Sequence, residues 1–335
     1  MEPDKPRAPN IRDVAARAGV SYQTVSRVLN DSTAIRPETR QRVLAAIEEL
    51  GYRPNEAARA LVTSRSRTIG VISAQTAYYG PATAIAAIET AARREGYRIS
   101  ATYLASSDRA SIQSSLSYLL AQGVEALVVI ASQVRVFEAL EELAVTVPYV
   151  ALAATTGVGH RVAFDQIEGG RRAIRHLAEL GHTEILHIAG PQDWTEADAR
   201  MRGYLQALDE ADLRPRAPVL GDWTASFGYY AGLELLRMRD FTAVFAANDQ
   251  MALGFLHACR DAGLDVPGDV SVVGFDDIPE AAHLAPPLTT VRQDFAEVGR
   301  RAVERLLQEL RGEPPADDAA IAPELVVRAS TARPH

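Results

Sequence analysis

The sequence predicts a small all-α headpiece built on a helix-turn-helix, followed by an α/β core of two doubly wound lobes. Three observations carry that reading. The first sixty residues hold helical patterns interrupted by a glycine turn. From Ile69 onward, short β-branched or apolar runs alternate with helical stretches, the pattern of parallel sheets covered by helices. The charge is also uneven. Residues 1–68 carry twelve Lys/Arg against eight Asp/Glu, a balance of +4; the rest carries 23 against 35, or −12, within an overall −8. A basic amino-terminal module on an acidic body is expected where only one end meets phosphate. Taken alone, the charge fits a solvated terminus better.

Composition sets the outer bounds. At 335 residues, 47 % hydrophobic and 23 % charged, the chain is of ordinary globular make-up. One domain per ~100–200 residues gives two or three domains. No apolar run reaches the roughly 18 residues of a membrane span. The amino terminus, MEPDKPRAPN, has no stretch of signal-peptide character, so export is not expected. Cys259 is the single cysteine, which excludes an intrachain disulfide and a multi-cysteine zinc site and fits a reducing cytoplasm.

In the headpiece, Asn10 can cap a helix whose apolar positions Ile11, Val14, Ala15 and Ala18 recur at helical spacing. Gly19 ends it, and Ser21 caps a second helix, Tyr22 to Leu29, that buries Val25, Val28 and Leu29. The exposed face of this second helix carries Tyr22, Gln23, Ser26 and Arg27, with Thr24 and Asn30 beside it. Such groups reach base edges or phosphate oxygens from a major groove. A third helix starts at Pro37 and points Val43, Leu44, Ile47 and Leu50 inward as far as Gly51. The segment Asn55–Val62, NEAARALV, has helix-forming residues but one large side chain, Leu61, so alone it is marginal.

The stretch IRDVAARAGVSYQTVSRVLN, continued by RPETRQRVLAAIEELGYRPNEAARAL, resembles the headpiece and hinge of LacI/GalR-family transcription regulators. By position, the resemblance implies that Tyr22, Gln23 and Arg27 read bases, Arg27 being suited to bidentate bonding with guanine. It implies that Ser21, Thr24, Ser26 and Asn30 bind phosphates. Leu61 would wedge into the minor groove at the centre of an operator, with Ala58 letting two hinge helices approach closely. Without the motif, Arg27 reads as a solvated surface arginine and Leu61 as part of a small satellite core.

In the body of the chain, IGVIS, YRISATYLA, EALVVIA, PYVALA, EILHIAG, AVFAAND and VSVVGFDD read as strands. Helical stretches such as Ala82–Glu95, Ser111–Gln122 and Glu168–Leu180 lie between them. These are too many strands for one sheet, so two similar lobes with a cleft are expected, with ligands beyond the carboxyl ends of the strands. The strand-end residues are Ala153, Asn248, Asp249, Asp276 and Asp277, joined by Arg200 in ARMRGY, Trp223 in GDWTA and Gln293 in PPLTTVRQDF. A carboxylate, an arginine, amides and an indole on one cleft suit a polyhydroxylated ring. Asp249 is assigned to capping the following helix.

Residues 69–330 resemble the effector-binding core of the same family, which has the fold of periplasmic sugar-binding proteins; AxxRMRGY, ANDQMALG, VSVVGFDD and PPLTTVRQDF carry the resemblance. It implies that Arg200, Asn248, Asp276 and Gln293 contact an effector, that Trp223 stacks on its ring and that Tyr78 lines the cleft. In one sugar-responsive member the strand matching PYVALA ends in an aspartate; here Ala153 stands there, so a hydroxyl contact is missing or replaced.

Other chemistry finds no footing. No GxGxxG follows a strand, since GVG at Gly157–Gly159 is followed by Val162 where a third glycine is needed; GxxxxGK[ST] and GxSxG are absent too. His176, His182 and His187 have no metal-like i, i+4 pairing and read as structural or solvated; Cys259 reads as core. The expected division is a tail at 1–9, a headpiece at 10–54, a hinge helix and linker at 55–68, a core at 69–330 and a tail at 331–335. Within the core, the chain should cross between lobes near 165, 293 and 322. The resemblance implies a cytoplasmic homodimer that represses from a near-palindromic operator and is released by a small sugar, with no cofactor, metal, membrane or catalysis. A corepressor-dependent regulator and a plain sugar-binding protein are the alternatives. The chain ends in VVRASTARPH without leucine heptads, so pairing of dimers is not expected.

Overall fold

The structure, a computed structural model, describes residues 9–29, 34–52, 65–74, 78–130, 133–143, 145–153, 161–314 and 319–335. Asn30, the expected hinge helix with Ala58 and Leu61, and residues 1–8 lie outside the described residues. The chain divides into two compact units, Met1–Ser66 and Arg67–His335.

The first unit holds α1 (Ile11–Ala18), α2 (Tyr22–Leu29) and α3 (Pro37–Leu50). Local chemistry sets their ends. The Asn10 side chain accepts from the backbone N–H of Arg12 (2.8 Å) and Asp13 (3.2 Å), while the Asp13 carboxylate accepts from the Asn10 N–H (2.7 Å), a reciprocal capping box. Gly19, at φ +63°, closes α1 in the left-handed conformation. Ser21 Oγ accepts from the Thr24 N–H at 3.2 Å, opening α2. Val14, Ala15, Ala18, Val25, Val28, Val43 and Ala46 form the core. Leu44 departs from the expectation: it is 51 % exposed, and Ala46 takes its place. Val43, Ala46, Ile47 and Leu50 fall on one stripe of α3, and Leu44, about 100° round from Val43, falls off it.

The second unit contains two sheets. Its first lobe orders the strands β2-β1-β3-β4-β5, all parallel: β1 (Thr68–Ser73), β2 (Arg98–Tyr103), β3 (Ala126–Ile130), β4 (Tyr149–Ala153) and β5 (Arg161–Ala163). The second lobe orders β11-β10-β9-β8-β6-β7: β6 (Ile185–Ala189), β7 (Val219–Leu220), β8 (Ala243–Ala246), β9 (Ser271–Asp276), β10 (Thr289–Arg292) and an antiparallel β11 (Glu324–Val326). The helices of this unit are α4 (Tyr79–Arg94), α5 (Arg109–Ala121), α6 (Val134–Glu142), α7 (Gln166–Glu179), α8 (Thr195–Glu210), α9 (Ala225–Met238), α10 (Asp249–Asp261) and α11 (Phe295–Leu310).

The chain passes between lobes three times. β5 leads through Phe164 and Asp165 into α7 of the second lobe, and β10 leads through Gln293 and Asp294 into α11. That helix packs its Val298, Ala302, Val303 and Leu306 with Ile88 and Val128 of the first lobe. The return to β11 runs past Ile321, which bridges Phe164. Second-lobe cores gather around Phe255 and around Phe245 and Phe275, each fully buried; such a side chain contributes roughly 1.5–3 kcal/mol relative to exposure.

Several helices begin two or three residues before the sequence pattern suggests, because a polar cap precedes the apolar periodicity. Asp108 accepts from the Ser111 N–H (2.8 Å) and Asp165 from the Glu168 N–H (2.9 Å). In α4, Gly80 and Pro81 hide the start; a proline in the first turn removes an N–H that has no helical partner anyway. The carboxyl-terminal residues are packed as well: Ser330 Oγ donates to the Val272 carbonyl at 2.6 Å, and the Ala332 N–H donates to Ser271 Oγ at 3.0 Å.

Candidate functional site

In the first unit, α2 presents Tyr22 (55 % exposed), Gln23 and Arg27 outward, with Ser21 exposed at its start and Thr24 and Ser26 half-buried. Val25 and Val28 turn the opposite face into the core. The alternation follows from helical period alone, and it leaves a polar face with donors of several lengths.

In the second unit, one cleft open to solvent lies where the carboxyl ends of both sheets meet. Tyr78, Arg200, Trp223, Asn248, Asp276 and Gln293 all line it. Asp276 is the last residue of β9, Gln293 follows β10, and Asn248 and Trp223 stand two and three residues beyond β8 and β7. Tyr78 precedes α4 on the loop after β1.

Four of the polar side chains form a closed ring. Arg200 Nε donates to Gln166 Oε1 (2.9 Å), Gln166 Nε2 to Gln293 Oε1 (2.7 Å) and Gln293 Nε2 to Asp276 Oδ1 (2.7 Å); Arg200 Nη2 lies 3.6 Å from that same oxygen. Arg200 Nη1 also donates to the Ala247 carbonyl, and its guanidinium lies 3.7 Å from the Phe275 ring centre. Burial pushes the Arg200 pKa down, against the pull of Asp276. It pushes Asp276 up to about 6, against Arg200 and Gln293.

Trp223 and Asp276 hold positive φ, +72° and +107°, as does Asp277 at +52°. For residues with a Cβ such conformations cost on the order of 1–3 kcal/mol each and persist where surroundings over-determine them. Asp277 is held by Arg292 (2.7 Å) and Arg328 (2.6 Å). Asn248 Nδ2 donates to the Trp223 carbonyl (3.0 Å), and its Oδ1 accepts from the Met251 N–H (2.9 Å).

That last bond corrects the role of Asp249: Asn248 is the cap of α10. Asp249 is fully buried behind the cleft, where its carboxylate accepts from Thr290 Oγ1 (2.6 Å) and the Ile278 N–H (2.9 Å). Burial, then the charge of Asp276, pushes its pKa up to about 8. Below the cleft, His187 stacks on Phe245 (centroids 4.6 Å apart) and donates from Nδ1 to its carbonyl; burial pushes it down to about 4. His182 bonds Thr242, Ser271 and the Ala332 carbonyl, and His176 bonds Thr331, so both are structural. Cys259 is buried, its thiol pushed up to about 12.

Sequence reasoning missed Gln166, Trp194 and Glu196, which also line the cleft. Trp194 stands edge-on to Trp223 (5.6 Å) and to Tyr78 (5.5 Å), whose hydroxyl donates to the Asp222 carbonyl (3.3 Å). The rule that found Trp223, an aromatic beyond a strand's carboxyl end, applies equally to Trp194 beyond β6. Gln166 carried no such signal.

Two family models match the chain: bacterial regulatory proteins of the lacI family over residues 10–55, and the periplasmic binding protein-like domain over residues 174–331. The chain is 35 % identical over 328 residues to the lactose operon repressor of Escherichia coli (strain K12), covering 96 % of this chain and 91 % of that one. It is 37 % identical to the HTH-type transcriptional regulator CelR of Thermobifida fusca, over 92 % of this chain and 94 % of that one. The crystal structure of the lac repressor dimer bound to operator and the anti-inducer ONPF superposes with a TM-score of 0.87 at 35 % identity, over 97 % of this chain and all of that one. A helix-turn-helix unit, a two-lobed core with a cleft at its strand ends and identity sustained along nearly the whole length make the chain a member of the lacI family of bacterial regulatory proteins.

Proposed function

We propose that this chain is a cytoplasmic, homodimeric repressor that binds a near-palindromic operator and leaves it when a sugar enters the cleft. The headpiece at 10–54 reads DNA, 55–68 is the hinge and 69–330 the effector core. Tyr22, Gln23 and Arg27 contact base edges, and Ser21, Thr24, Ser26 and Asn30 contact phosphates. Ala58 and Leu61 act in the hinge, Leu61 as a wedge between central base steps. Tyr78, Arg200, Trp223, Asn248, Asp276 and Gln293 hold the effector. The chain performs no catalysis: its output is a change of DNA affinity, set by the sugar's differential affinity for two lobe arrangements.

One observation carries the reading of the core. Six side chains drawn from separated segments between residues 78 and 293 line a single cleft, with amides, a carboxylate and an arginine facing aromatic rings. That combination suits vicinal hydroxyls and the apolar face of a sugar ring. Dimerisation and operator binding are supported by likeness to a lac repressor dimer bound to operator.

The test has two stages. Selection from a random DNA pool should enrich a sequence with dyad symmetry, and a panel of mono- and disaccharides, scored by thermal shift, should contain one that releases that DNA. An unenriched pool overturns the repressor reading. Saccharide binding without DNA binding favours a plain sugar-binding protein, and tighter DNA binding with saccharide favours a corepressor.

A further inference from the structure

An arginine in a ligand cleft suggests an anionic ligand, but Arg200 is already engaged. Its Nε bonds Gln166 (2.9 Å), its Nη1 bonds the Ala247 carbonyl, its Nη2 lies 3.6 Å from Asp276, and its face rests on Phe275. Among the described residues lining the cleft, the charged ones are Arg200, Asp276 and Glu196. The described lining therefore sets two carboxylates against one guanidinium.

Among the described residues Glu196 makes no ion pair, although its charge pulls the Arg200 pKa upward. It lies in the first turn of α8, half-buried, beside Trp194, and its one hydrogen bond among the described residues is from the Thr195 hydroxyl (3.1 Å). Its field is felt inside the site, where it raises the Asp276 carboxyl. On the same cleft, Trp223 is 5 % exposed and its Nε1–H has no acceptor among the described residues. A buried donor left open costs free energy unless a ligand oxygen meets it.

We propose that Glu196 accepts hydrogen bonds from saccharide hydroxyls in this cleft, and that it confines the site to uncharged or cationic saccharides, turning away sugar acids and sugar phosphates. The proposal rests on the sugar-effector reading above and narrows it. Trp223 Nε1 donates to a ring or hydroxyl oxygen of the same ligand, and the indoles of Trp194 and Trp223 cover its apolar faces.

The test uses the full chain and calorimetric titration with glucose, galactose, cellobiose, lactose, glucosamine, glucuronate, galacturonate and glucose 6-phosphate. At least one uncharged or amino saccharide should bind, and the acid or phosphate of the same ring should not. Glu196→Ala should weaken the bound saccharide by about 10- to 100-fold, as for loss of a charged acceptor. Glu196→Gln, which keeps an acceptor oxygen without the charge, should lose less and narrow the gap to the uronate. Asp198→Asn, at an exposed carboxylate of the same helical turn paired with Arg202, should change nothing and so excludes a helix-dipole effect. Equal binding of a uronate or phosphate and its neutral counterpart overturns the proposal, as does an affinity within about twofold in Glu196→Ala. If no saccharide of any charge binds the wild type, the sugar reading itself falls and this inference with it.

Discussion

Gln166 Nε2 donates to Gln293 Oε1 at 2.7 Å, tying the first passage of the chain between the lobes to the second. Gln166 opens α7 and Gln293 follows β10, so each amide stands at a crossing. Through the same amides run the bonds to Arg200 and Asp276. A ligand that re-bonds Arg200 or Asp276 therefore acts directly on two of the three passages joining the lobes.

Gln166→Leu keeps the volume and removes both bonds. It leaves Arg200 Nε and Gln293 Oε1 buried without partners, at about 1–3 kcal/mol for each group. Denaturant unfolding should show that loss, and saccharide-driven release of DNA should weaken beyond any change in DNA affinity. Unchanged stability and release would mean the ring is incidental.

Gly203 lets α8 lie against α7: a Cβ there would overlap the Ile167 carbonyl oxygen, and one on Gly170 would stand 2.5 Å from the Arg200 carbonyl. Gly203→Ala should separate the helices that carry Arg200 and Gln166, costing about 1–3 kcal/mol or more. A melting temperature equal to wild type would show that the crossing has slack.

Asp249, raised to about 8, gives a pH dependence of definite sign. The folded state holds a proton there that the unfolded chain releases near pH ~4, so its contribution is full at low pH and is lost as pH rises toward 8. His187, pushed down to about 4, and the lowered His176 and His182 act oppositely, below their ordinary values near 6.5. Between pH ~7 and 8, above the Asp276 value of about 6, the Asp249 effect stands clear, at up to about 1.4 kcal/mol per pH unit. Asp249→Asn should flatten this slope in denaturant titrations. Parallel slopes for the two proteins would place the proton elsewhere.

Arg27→Ala should cost about 1–3 kcal/mol on the selected DNA site and erase discrimination at one base position, leaving random-DNA binding nearly unchanged. An equal loss on both DNAs, measured at fixed salt, would reduce Arg27 to a phosphate contact.

Much of this protein is written in short-range chemistry. Asn10, Gly19, Ser21 and Gly51 bound their helices through partners two to four residues away, so the ends of these helices were legible from spacing alone. The longer core strands between Ile69 and Asp276 announce themselves by β-branched runs, and their carboxyl ends pointed to Asn248 and Asp276, whereas Gln293 came from the motif PPLTTVRQDF and its strand β10 was not read. The brief strands β5, β7 and β11, of two or three residues, carry too little pattern and form because the sheet edges beside them offer backbone partners. The role of Asp249 was likewise settled by Ile278 and Thr290, 29 and 41 residues distant. Gln166 meets Gln293 across 127 residues. Caps, turns and periodicity act within one helical turn and can be read in order along the chain. The ring around Arg200 exists only once both crossings are made, because a hydrogen bond depends on distance in space and not on separation in sequence.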